Sequence, residues 1–207
     1  KELVLYALQG IGPHGLSIVD FLGNNLLVML PAFAAHQHLV TALVERRYAE
    51  MIRRGTPSRW YLCELLKTSA MSAAYALTMV ITAGGLLSAR ANSLPGAPTL
   101  VLISLWGLTL WLQIILVSII LTLGTTAGRR VEGGIIALFM AIAASVPLGH
   151  VSTYSPTGQA SLLRVIPEPD APLTTTSFTP VASSLAWILI LTIITSSVFN
   201  KTRGELK

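Results

Sequence analysis

Between Thr99 and Leu123 the chain carries no charged side chain, and nothing more polar than Gln113 and a few hydroxyl groups interrupts the run. As a helix rising 1.5 Å per residue, such a segment is roughly 37 Å long, enough to cross the ~30 Å hydrocarbon core of a bilayer. Lipid offers backbone groups no hydrogen-bond partners, so a lone spanning segment must satisfy them within itself, as a helix does. This stretch commits the chain to a membrane.

Composition extends that commitment to the whole sequence. Hydrophobic residues make up 53% and charged residues 11% of the 207 positions, and the mean hydropathy is +0.69, whereas soluble domains are about one-quarter charged. A chain of this length accommodates five or six spans of ~20 residues with short connections, leaving no room for a separate catalytic domain. The expectation is an all-α polytopic transmembrane helix bundle forming one domain. The single cysteine, Cys63, excludes an internal disulfide. The net charge of +5 sits at segment ends, where the preference of basic residues for the cytoplasmic face explains it without nucleic acid.

In chain order, residues 1–25 read as an external interfacial segment, because Gly10, Gly12, Pro13 and Gly15 interrupt it and Asp20, Asn24 and Asn25 close it. Spans are expected over 26–44, 60–87, 99–123, 131–148 and 181–199. Residues 45–59 form a cytoplasmic elbow, 149–180 an external loop rich in proline, serine and threonine, and 200–207 a cytoplasmic tail. The first span contains Pro31, His36 and His38; the second is rich in small residues that permit close helix approach. Three basic regions lie at alternate connections: the elbow, the turn at Arg129 and Arg130, and the tail with Lys201, Arg203 and Lys207. Assigning all three to the cytoplasm leaves five visible spans with an external start. A sixth helix, upstream of Lys1 in the full-length chain, is expected to restore two internal termini.

The elbow holds five of the ten arginines. Its first helix is expected to run to Arg54, with Tyr48, Met51 and Ile52 as an apolar stripe. Gly55 then stops it by taking the left-handed conformation, and Thr56 and Pro57 restart a helix as N-cap and first-turn proline. From charge alone, arginines 46, 47, 53, 54 and 59 read first as anchors for anionic lipid headgroups, worth about 1 kcal/mol each, and only second as a docking surface for a soluble partner.

The arrangement Glu-Arg-Arg, then Arg-Arg-Gly-Thr-Pro-Ser-Arg-Trp-Tyr and a lysine entering the next span resembles the first intracellular loop of ABC-2 type transporter permeases. The likeness is to the small six-helix subunits of bacterial peptide and antibiotic export or self-immunity systems, with a type V exporter-like fold. The turn at Arg129 and Arg130 is placed like the family's second intracellular loop, and the external segment and basic ending also correspond. The N-terminal part departs from the pattern, since no interfacial helix followed by a first span is visible there. The resemblance implies a multi-pass protein of a bacterial cytoplasmic membrane, paired with a second permease subunit and coupled to a separate ATP-binding subunit. It places the coupling interface on Glu45, Arg46, Arg47, Tyr48, Glu50, Ile52, Arg53, Arg54, Gly55, Thr56, Pro57, Arg59 and Trp60. In that arrangement Tyr48, Ile52 and Trp60 fill the partner's cleft, while Arg53, Arg54 and Arg59 meet its acidic rims.

The chain lacks a GxxxxGK[ST] loop, so ATP and Mg are expected on the partner and no cofactor on this chain. No catalytic residue and no metal site are expected; His36 and His38 are about 200° apart around a helix and cannot share one ion. Asn24, Asn25, Tyr75, Trp106 and Gln113 are the polar or aromatic groups available to a substrate path, with helix packing and interhelical hydrogen bonds as their structural alternative. Two other functions compete with a permease: a non-transporting scaffold or accessory subunit, and an ATP-independent channel or carrier. The near absence of ionisable residues within the spans weighs against the latter.

Overall fold

The computed structural model describes residues 18–45, 56–91, 96–128, 131–143 and 178–204, which form five helices and, among the described residues, no strand. They are α1 (Ile18–Glu45), α2 (Pro57–Ala91), α3 (Ala97–Gly128), α4 (Val131–Ala143) and α5 (Thr179–Gly204). Stretches within α2, α3 and α5, at Ser58–Ala89, Thr99–Ala127 and Thr179–Lys201, are long and apolar enough to cross a membrane. Helix α4 is described as far as Ala143, so the rest of the span expected over 131–148 lies outside the described residues.

Helix α3 is the hub. It packs against each of the other four helices, and from Thr109 through Thr122 every residue except the half-buried Trp111 is buried. A helix that is apolar all round has no face suited to water, and a central position follows. On α1, which packs against it, Asn25, Val28, Ala32, Ala35 and His36 are buried, spaced three and four apart so that they share one stripe, and Val28 and Ala32 join the cluster around α3. Alanines on that stripe let the two helices approach closely.

The polarity of the bundle is inverted relative to a soluble protein. On α2 the buried face runs through Glu64, Thr68, Ser72 and Ala76, while Leu62, Leu66, Met71, Leu77 and Ile81 are exposed. On α5, Ser184 and Thr195 are buried and Leu185, Leu189, Ile190, Ile193 and Ile194 are exposed. Water would make this arrangement strongly unfavourable; hydrocarbon makes it the stable one, since hydroxyl and amide groups then find partners between helices. The chain is a polytopic α-helical membrane protein.

One boundary departs from the sequence expectation. Residues 18–25 belong to the start of α1 rather than to a separate interfacial segment, and the helix is continuous through Asp20, Asn24 and Asn25. Asn25 does not break it because its side chain is buried on the packing stripe, where tertiary contact outweighs a propensity difference of less than ~1 kcal/mol. Pro31 lies within the same helix and removes one intrahelical donor, a defect that membrane helices tolerate when neighbours cover the freed carbonyl.

Candidate functional site

Helix α2 begins where the Thr-Pro pair predicts. Thr56 is outside the helix, Pro57 is its first residue, and the Trp60 amide donates to the Thr56 carbonyl at 3.2 Å. Proline suits this position because its ring presets a helical φ and the N–H that it lacks has no intrahelical acceptor there. At 35 residues, α2 is roughly 52 Å long and exceeds a ~30 Å hydrocarbon core by several turns. Its first turns therefore have room to stand beyond the apolar layer.

Those turns are locked to the far end of α5. The Tyr61 ring stacks on Phe199 with centroids 5.1 Å apart, and Trp60 tilts against the same ring at 6.4 Å. Trp60 and Tyr61 are both 0% exposed, with Leu65 packed alongside. The Tyr61 hydroxyl is enclosed beside Thr195. One turn further, Glu64 is only 2% exposed and receives Lys67 Nζ at 2.6 Å, while the Lys67 side chain remains 50% exposed. Arg59 and Lys201 are exposed on either side of this junction.

Trp60 is enclosed within the chain, with Phe199 at the end of α5 among its apolar neighbours. Arg59, its neighbour, stays on the surface. Arg46, Arg47, Tyr48, Glu50, Ile52, Arg53, Arg54, Gly55, Arg129 and Arg130 lie outside the described residues, while Glu45 is the last residue of α1.

A second polar layer lies deeper. Gln113 Nε2 of α3 donates to Ser184 Oγ of α5 at 3.0 Å, and Trp111 Nε1 of α3 donates to the Ser69 carbonyl of α2 at 2.9 Å. Trp106 is buried in the central apolar cluster with Val28 and Leu110, and Tyr75 packs against that cluster. Among the residues considered for a substrate path, Trp106 and Tyr75 thus share one packing environment, Gln113 joins helices, and Asn25 faces inward. The side chain of Asn24 lies outside the described residues.

The third layer gathers α1, α3 and α4. Thr125 Oγ1 donates to the Leu121 carbonyl at 2.7 Å and stands 3.2 Å from His36 Nε2. Glycines let α4 come against this point: a Cβ on Gly124 would lie 2.5 Å from the Gly133 carbonyl oxygen, and one on Gly134 would lie 2.5 Å from Thr125 Oγ1. Nine residues of α1 follow His36, against three of α3 after Thr125, so α1 reaches past the end of α3 toward the elbow.

Sequence alone does not single out Glu64, Tyr61, Ser184, Thr195 or Thr125. Part of the signal is legible, since Glu64, Thr68 and Ser72 recur at intervals of four through an otherwise apolar helix. Ser184 and Thr125 carry no such signal, because their partners are 71 and 89 residues away. Comparisons with protein families, curated proteins and solved structures find no match to this chain, and its functional reading rests on these residues alone.

Proposed function

We propose that this chain is the membrane-spanning permease subunit of an ATP-binding cassette exporter in a bacterial cytoplasmic membrane, moving a peptide, antibiotic or other amphiphilic compound. A separate ATP-binding subunit supplies the energy, holding ATP and Mg, and a second permease subunit completes the pathway. The observation that carries this reading is the elbow's exit: α2 restarts at Thr56 and Pro57 after the arginine-rich segment and is clamped within one turn to α5. A displacement of the elbow by a closing ATPase would reach two membrane helices at once. Arg53, Arg54 and Arg59 are the cations through which that subunit would hold the elbow.

The test is copurification with the products of neighbouring genes from native membranes. A Walker-motif protein is expected to accompany the wild-type chain and to be lost from Arg53→Glu/Arg54→Glu, with the permease still inserted. Failure of the wild-type chain to retain such a protein would replace this reading with an accessory or scaffold role. That alternative draws on the interior polar groups, such as Gln113 and Ser184, which join helix to helix.

A further inference from the structure

We infer, from the packing and independently of the permease reading, that α5 parts from α2 at its Phe199 end and admits water to the seam between them. The clasp of Trp60, Tyr61 and Phe199 is the latch of this movement. Toward its other end α5 is tied to α3, where Gln113 donates to Ser184 at 3.0 Å. At 1.5 Å per residue, roughly 22 Å of helix separate that tie from Phe199. Helix α2 has its own tie to α3, through Trp111 and the Ser69 carbonyl at 2.9 Å. Both α2 and α5 pack more extensively on α3 than on each other, so release of the clasp leaves each helix held by the hub.

The chemistry behind the latch suits water. On α2 the buried stripe continues from Tyr61 through Glu64, Thr68 and Ser72, and on α5 Thr192 and Thr195 precede Phe199. Ser72 and Thr195 donate to carbonyls of their own helices at 2.7 Å, so wetting them breaks no bond between helices. Thr192 Oγ1 is enclosed with no hydrogen-bond partner among the described residues. An enclosed hydroxyl in that state opposes closure, and the stacked rings offset it. Water returns its partner, and it reaches the level of Glu64, the one carboxylate in the three candidate spans. The central cluster offers no such exchange: Val28, Leu110 and Ile114 are apolar, and wetting them is unfavourable.

The experiment uses the full chain in nanodiscs, in a Cys63→Ala background, with a charged methanethiosulfonate reagent that reacts from water and a labelling rate read by mass. Thr195→Cys reports the seam, Leu110→Cys the central cluster and Leu189→Cys the lipid face. Thr195→Cys is expected to label slowly, and about tenfold faster once Phe199→Ala removes the stacked ring. Adding Thr192→Val, which removes the unpartnered hydroxyl at nearly constant shape, should slow it roughly fivefold. Leu110→Cys and Leu189→Cys should stay unlabelled throughout. If Phe199→Ala exposes Leu110→Cys as well, that substitution has loosened the whole bundle, and the Thr192→Val arm decides alone. No labelling of Thr195→Cys in any background, or a rate that Thr192→Val leaves unchanged, overturns the inference.

Discussion

Gly124 and Gly134 bring α3 and α4 into close approach, and their surroundings leave little room for adjustment. A methyl at Gly124 would meet the Gly133 carbonyl oxygen at 2.5 Å and the Gly134 Cα at 2.8 Å, both backbone atoms. Gly124→Val is therefore expected to destabilise the bundle by about 1–3 kcal/mol, the usual cost of overpacking, measurable as a lower midpoint of thermal unfolding in detergent. Gln113 and Ser184 provide a second test at this scale. A double-mutant cycle with Gln113→Leu and Ser184→Ala should return a coupling of roughly 0.6 kcal/mol, as membrane hydrogen bonds do; a value indistinguishable from zero would separate the two groups energetically.

Helix boundaries show where local chemistry prevails and where it does not. Thr56 and Pro57 announce the start of α2 because capping and a preset φ are properties of adjacent residues. Asp20, Asn24 and Asn25 give a false stop, because the helix runs through them and Asn25 is buried by tertiary packing that local sequence does not reveal. The packing of Trp60 against Phe199 is hidden from the sequence for the same reason, since the two residues are far apart along the chain. For the elbow as an element, Glu50→Arg and Gly55→Pro are expected to uncouple ATP hydrolysis from transport while leaving insertion intact. Normal transport by both variants, at normal assembly, would contradict the coupling role.

At the scale of the molecule, the distribution of polarity is the main finding. Leu66, Ile81 and Ile193 face outward on α2 and α5, so a charge placed on this surface is opposed by hydrocarbon. Ile193→Arg should impair membrane insertion by up to about 3 kcal/mol, read by a glycosylation-based insertion assay, whereas Lys201→Arg should have no effect there. The short connection between α2 and α3 makes them antiparallel neighbours, and the clasp brings the end of α5 to the start of α2. In a Cys63→Ala background, cysteines at Arg59 and Lys201 should therefore label from one side of the membrane and one at Ser93 from the other. Labelling of positions 59 and 201 from opposite sides would refute this topology.

The solvent, the helical class, the central uncharged span and the restart at Thr56 and Pro57 are all legible along the chain. Each of these follows from hydropathy or from bonds between near neighbours. That α3 is the hub, that Glu64 and Ser184 turn inward, and that Trp60 is enclosed with Phe199 of α5 emerges from packing alone. In lipid, both faces of a helix can be apolar, so periodicity does not reveal which face meets protein. That choice is made by packing between distant segments, through small residues at the contacts and hydrogen bonds that lipid cannot supply.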